Sequence, residues 1–246
     1  MTSIQYRILR WISPGEPNGC SGVAYVGKSK MSILLGDDLL RRIAGKFVID
    51  FGCGGGSATI ELAKSGAQRV LGIDIREDLL EAARASAVAA GVENACDFAT
   101  STDEIGDIIV SIDAFEHFED PAGVLGTMSK LLPPGGEVLA SFGPTWYHPL
   151  GGHLFSIFPW SHLLFSERAL IQWRSDFKTD GATCFGEVAG GLNRMTIGRF
   201  ERLVEHSPFE LAMLEAVPIR RLRRLHNRCT REFATAIVRC RLVKRL

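Results

Sequence analysis

Between residues 47 and 142 short apolar runs alternate with stretches whose apolar residues recur every three or four positions. The runs are Phe47–Phe51, Arg69–Ile75, Asp107–Ile112 and Glu137–Phe142. Such near-continuous runs predict strands buried on both faces of a parallel sheet. A further strand is expected near Ala95–Ala99. Helical patterns follow at Ser57–Lys64 and Arg76–Ala90, and Pro121 suits the first turn of another helix. Alternating strands and helices predict an α/β fold with right-handed crossovers. Upstream, residues 1–30 show no clear period and read as an irregular lead-in. Met31–Ala44 carries one helical pattern, which Gly45 stops.

After residue 142 this rhythm breaks. Residues 143–193 hold nearly half of the chain's aromatics, among them Trp146, Tyr147, Phe155, Phe158, Trp160, Phe165, Trp173, Phe177 and Phe185. The segment is too apolar for a disordered loop. It predicts a cap with short helices around Phe155–Phe165 and Glu167–Arg174. Thr196 is then an N-cap for a helix over Ile197–Glu205. Phe209–Val217 and Glu232–Leu242 read as the last two strands. The expected organisation is residues 1–45 as lead-in and helix, 46–142 as core, 143–193 as cap, and 194–246 as the final helix and strands.

The first strand ends in Asp50-Phe51-Gly52-Cys53-Gly54-Gly55-Gly56. An acidic residue and a glycine-dense turn at the carboxyl end of a strand form a place where open α/β sheets bind ligands. Glycine lets a ligand lie against main-chain N–H groups. A dinucleotide fingerprint would want glycine or alanine where Ser57 stands. No Lys-Ser or Lys-Thr follows, which excludes a P-loop. The second strand ends in Asp74, a carboxylate that can accept ribose hydroxyls. The fourth runs into Asp113-Ala114-Phe115-Glu116-His117, and Leu132-Pro133-Pro134-Gly135-Gly136 precedes the fifth.

Taken in order, these motifs resemble those of the class I S-adenosylmethionine (SAM) dependent methyltransferases, especially the small-molecule type of quinone biosynthesis. The resemblance covers about residues 45 to 142. It implies a Rossmann-like sheet of seven strands, order 3-2-1-4-5-7-6, mostly parallel with the last strand antiparallel, helices on both faces and the cap inserted after strand 5. It implies SAM as cofactor, held by Asp50, Gly52, Cys53, Gly54 and Gly56, with Asp74 on the ribose, Ile75 on the adenine, and Ser111 and Ile112 close by. The family often has an acidic residue just after the third strand. Here Ser101 or Thr102 offers a hydroxyl instead, or Asp103 reaches in.

Methyl transfer is an in-line displacement that often needs a base. Histidine is the natural candidate. His117 stands first, with a structural turn as the competing reading. His148 and His153, in the Trp146–His153 segment, stand next as bases or substrate contacts. These imidazoles, with His117 or Asp113 nearby, are suitable metal ligands, which keeps a metal site open, but His-x4-His is not a standard ligand spacing, so substrate hydrogen bonding is the expected role. His162 reads as a packed residue, and His206 and His226 as surface ones. Trp146, Tyr147 and Phe155 are the expected substrate wall, suited to a hydrophobic or aromatic small molecule methylated at oxygen.

The net charge is zero, which gives no overall attraction to nucleic acid or anionic membrane. The arginines at 220, 221, 223 and 224 therefore read as a solvated helix and edge strand, with Arg stems over apolar neighbours. An RNA or protein methyltransferase using this basic segment is the alternative, as is a SAM-binding protein without transfer activity. A dehydrogenase is disfavoured by Ser57. No apolar run approaches the roughly 20 residues of a membrane span. No secretory pattern opens the chain, and the six cysteines lack a Cys-x-x-Cys pair. Both features suit reduced thiols in a cytoplasm.

Overall fold

The structure is a computed structural model that describes residues 3–13, 30–36, 38–188 and 190–246. Seven strands form one sheet: β1 (Phe47–Phe51), β2 (Arg69–Ile73), β3 (Cys96–Ala99), β4 (Ile108–Ile112), β5 (Glu137–Phe142), β6 (Phe209–Pro218) and β7 (Thr235–Lys244). Their order is β3-β2-β1-β4-β5-β7-β6. The first five run parallel, and β7 enters antiparallel beside β5.

Strand side chains alternate between two buried faces, as the pleat requires. Ile49, Leu71, Ile109, Val138 and Phe142 point to one face, against α6 (Pro121–Lys130) and α9 (Ile197–Glu205). Val48, Val70, Ile108, Val110 and Leu139 point to the other. They meet α2 (Lys30–Leu35), α3 (Leu39–Ile43) and α4 (Ser57–Lys64). α5 (Glu77–Ala89) packs along β3 through Leu80, Ala83 and Ala87. The loops after β1 to β5, and the β6–β7 connection, all gather at the carboxyl edge.

Thr196 caps α9 as expected, its Oγ1 accepting the Arg199 N–H at 3.1 Å. The Glu232 carboxylate adds two more bonds there, from the N–H groups of Ile197 (3.0 Å) and Gly198 (2.8 Å). A carboxylate is well placed at the positive end of a helix.

Three expectations need correction. Residues 4–12 form a helix, α1 (Ile4–Ile12), capped by Ser3. Its apolar stripe was obscured by interspersed arginines. The single helix expected over Met31–Ala44 is two short ones, because Gly36 takes a left-handed φ of 83°. β7 starts at Thr235, since α10 (Arg231–Ala234) occupies the residues before it. Arg220–Leu225 is a solvated helix as expected, of the 3-10 kind. The Gly, Ser and Pro positions of 14–29 lie outside the described residues.

The cap has its own core. A 3-10 turn (His153–Phe155), α7 (Ser161–Leu164), α8 (Glu167–Arg174) and a second 3-10 turn (Phe185–Glu187) enclose Phe155, Leu170, Trp173, Phe185, Val188 and Leu192. Leu9 of α1 is buried in the same cluster. The Trp173 indole N–H donates to the Ser13 carbonyl at 2.8 Å, and the Tyr6 hydroxyl donates to Asp176 at 3.0 Å. The cap is thus built from both ends of a long stretch of chain. Trp173→Ala would remove its largest buried side chain and the bond to Ser13. We expect a loss of about 3–5 kcal/mol in urea unfolding, read by fluorescence and circular dichroism.

Candidate active site

Asp50 sits on the α4 face of β1, 1% exposed, and accepts the Thr59 hydroxyl at 2.6 Å. It therefore fixes the start of α4 to the end of β1. The chain then turns through left-handed glycines at 52, 54 and 56, with φ of 83°, 51° and 75°. The N–H groups of Gly52 and Cys53 both donate to the Ile73 carbonyl, at 2.8 and 3.0 Å. A Cβ on Gly56 would meet Ala83 at 2.7 Å and Phe98 at 2.9 Å, whereas one on Gly54 would meet nothing within 4 Å. Gly56 serves packing; Gly54 borders open space. Burial and the neighbouring Asp50 and Asp74 push the Cys53 thiol up, so it stays protonated.

The Asp74 carboxylate reaches into this turn. Oδ2 accepts the Gly54 N–H at 2.9 Å, and Oδ1 accepts the Arg76 N–H at 3.0 Å. Next to it, Ile75 is 89% exposed. The Ser111 hydroxyl donates to the Phe51 carbonyl at 2.9 Å, tying β4 to the loop, and Ile112 is buried. Ser101 is exposed, and Thr102 accepts the Glu104 N–H at 3.1 Å, so its oxygen serves a local turn. Asp103 is exposed.

Beyond β4, Asp113 takes a left-handed φ of 50° and begins the turn that carries His117. The cap clamps this turn. Asn193 Nδ2 donates to the carbonyls of Phe115 (2.7 Å) and Phe118 (2.8 Å), and its own N–H donates to the Glu116 carbonyl. Glu116 is buried, and its Oε1 accepts the Gly143 N–H at 3.0 Å. His117 Nδ1 lies 2.8 Å from the Gly191 carbonyl. A carbonyl only accepts, so Nδ1 carries a proton and Nε2 is the ring nitrogen this bond leaves over. The same logic applies to His153, whose Nδ1 lies 3.0 Å from the Gly151 carbonyl.

The two rings meet edge to face, 5.2 Å apart. Glu116, His117 and His153 each offer a ligand atom, all within 4.8 Å of one another. Two imidazoles and a carboxylate at that separation are donors that a divalent transition metal can take. His-x4-His spacing could not reveal this group, because its members come from two segments. His148 Nδ1 accepts the Leu150 N–H at 2.9 Å, and His162 Nε2 donates to the Trp146 carbonyl at 2.7 Å. Glycine is required at 151 and 152, where a Cβ would stand 2.3 Å from the Thr145 carbonyl and 2.4 Å from His162.

The histidine cluster and the glycine loop thus share the carboxyl edge of one sheet. Residues 49–140 match the methyltransferase domain family. The chain is 39% identical over 105 residues to a ubiquinone biosynthesis O-methyltransferase of Stutzerimonas stutzeri, covering 40% of this chain and 45% of that one. It is 36% identical over 128 residues to the Methylococcus capsulatus enzyme of the same name, covering 50% and 52%. The chain therefore spans about half the length of the curated relatives it matches. The fold resembles that of an S-adenosylmethionine dependent methyltransferase from Mesorhizobium loti, with a TM-score of 0.56 and 20% identity over 84% of this chain and 96% of that one. Over residues 49–140 this chain carries a methyltransferase domain.

Of the residues singled out in sequence, the methyltransferase domain brings Gly52, Gly54 and Asp74 together in one turn, with Ile75 beside it. His117 and His153 form a second group. Phe155 is elsewhere: it is 1% exposed and packs on Phe185 at 4.7 Å, inside the cap core rather than on its wall. Trp146 is half-buried between His162 and Phe185, and Tyr147 lies on Phe233. Asn193 and Gly191 were missed, because backbone-directed bonds leave no signature in one sequence.

Burial, with the other imidazoles nearby, pushes both His148 and His153 down to about 4. Both are neutral in the folded protein over a range where an unfolded histidine takes up a proton. Stability is therefore full above about pH 6.5 and falls as the pH drops towards 4. Urea unfolding across that window should show the decline. The double change His148→Gln, His153→Gln should flatten it, and an unchanged slope would remove these two residues as its source.

Proposed function

We propose that this chain binds SAM across the Gly52–Gly56 turn and methylates a hydroxyl of a hydrophobic or aromatic small molecule. The observation that carries the reading is the Asp74 carboxylate aimed at the Gly54 N–H, with Ile75 bare beside it. A carboxylate there suits two ribose hydroxyls, and an exposed branched aliphatic suits the face of a purine. When bound, SAM supplies a methyl group made electrophilic by its sulfonium. The chain's part is to align an acceptor, exclude water and remove a proton.

His117 is the base in this reading. Its Nε2 takes the hydroxyl proton while the Gly191 carbonyl holds the ring through Nδ1. His153, neutral and in edge-to-face contact with the His117 ring, packs beside that base. The apolar surroundings come from Trp146 and Tyr147. The curated relatives are named for ubiquinone biosynthesis, so phenolic quinone precursors are the first acceptors to try.

Calorimetric titration with S-adenosylhomocysteine tests the cofactor site. We expect Asp74→Ala and Gly54→Val each to weaken binding by at least about tenfold. Wild-type affinity in both would end the assignment. His117→Ala should keep that affinity and lower methyl transfer by about a hundredfold or more. Retained turnover would pass the role of base to another group.

A further inference from the structure

Val188 and Leu192 are anchored in the cap core, and Met195 in the core of the sheet. Residues 190–194 cross between the two, alongside the turn that carries His117. Gly190, Gly191 and Arg194 are left-handed in this crossing, with φ of 89°, 67° and 59°. A Cβ on Gly191 would stand 2.8 Å from the His117 carbonyl oxygen, so only glycine allows so close an approach.

Asn193 holds the crossing at that distance. Its Nδ2 donates to the carbonyls of Phe115 at 2.7 Å and Phe118 at 2.8 Å, which lie on either side of His117 in the chain. Its backbone N–H donates to the Glu116 carbonyl at 3.0 Å. Carbonyls only accept, so the amide has to present its NH2 group to them. Its Oδ1 is buried with no hydrogen-bond partner among the described residues. An unpaired buried oxygen costs free energy that an apolar side chain of the same shape would escape. The amide is therefore held for its two donors. Behind it, the Arg199 guanidinium of α9 donates to the Asn193 carbonyl, and the Trp146 N–H donates to the Met195 carbonyl at 2.7 Å. Two residues before Asn193, the Gly191 carbonyl accepts the Nδ1 proton of His117 at 2.8 Å.

We propose that Asn193 is the positioning residue of His117. By fixing the spacing between turn and crossing it keeps the Gly191 carbonyl on Nδ1. It thereby decides which ring nitrogen carries the proton and where the other one points. The bond made by one nitrogen of a histidine sets the state of the other. A base needs its lone pair on Nε2, and a neutral ring released from Gly191 also populates the form protonated there, which accepts nothing. This inference rests on the reading of His117 as the base and adds what orients that base. Asn193 acts through the ring and not on the acceptor.

The test is nitrogen nuclear magnetic resonance of the histidine rings in the full chain, at mildly alkaline pH and without methyl donor. His117→Gln assigns the signals. We expect the wild-type proton on Nδ1. Asn193→Asp keeps the size of the side chain but faces two carbonyls with an oxygen. Asn193→Ala removes the donors without that repulsion, and serves if the aspartate variant fails to fold. Either should move a measurable share of the proton to Nε2. Either should also lower kcat by about tenfold to a hundredfold, with affinity for S-adenosylhomocysteine unchanged. Ile43→Ala, buried on the opposite face of the sheet, should lower stability and leave the ring as it is. A ring unmoved by the Asn193 changes, or moved as much by Ile43→Ala, would overturn the proposal. So would full turnover by a variant whose ring has moved. The ring is read without a methyl donor, so a wild type that transfers nothing would count against the hydroxyl reading while the spectra still decide the role of Asn193.

Discussion

The hydrogen bond from the Gly54 N–H to the Asp74 carboxylate joins the loops after two neighbouring strands. It requires a left-handed backbone at Gly54, a second strand that ends at the level of the first, and an acidic side chain at that end. β1 and β2 meet the middle condition through register, with Phe51 opposite Ile73. Both N–H groups that precede Gly54 are spent on the Ile73 carbonyl. The turn therefore has one shape before any ligand arrives. The open side of that shape lies over Gly54, and the closed side lies over Gly56 against Phe98 and Ala83.

The cap is registered to the sheet by a second, independent set of bonds. Asn193, Gly191 and Gly143 hold the turn 115–118 through main-chain groups and the Glu116 carboxylate. Left-handed residues cluster here, at Asp113, His153, Trp160 and Arg194. Each carries a steric cost that only the surrounding packing can offset. The rings of His117 and His153 inherit their orientation from backbone carbonyls, so the direction of their other nitrogens is set by the fold and not by a neighbouring acid.

The sheet was legible because strands buried on both faces have to be apolar throughout, and because a glycine turn after such a strand is rare by accident. Pro121, Thr196 and Gly45 announced their helix boundaries through chemistry local to one or two residues. The amino-terminal helix was not legible: its apolar stripe faces outward and its inner face presents Tyr6 and Leu9 among polar neighbours. The break between α2 and α3 rests on one left-handed glycine. At the site, Gly52, Gly54 and Asp74 could be read because each does its work at the end of its own strand. Asn193 could not, since an amide that bonds carbonyls 75 and 78 residues earlier in the chain shows nothing of that in its surroundings. Phe155 looked like substrate wall by composition alone, and composition does not distinguish a cap's interior from its lining.

The bond between Ser13 and Trp173 spans 160 residues. During synthesis α1 leaves the ribosome before α8, and the sheet strands β1 to β5 lie between them in the chain. The order of the chain therefore permits the docking of α1 on α8 only once the cap segment has been made.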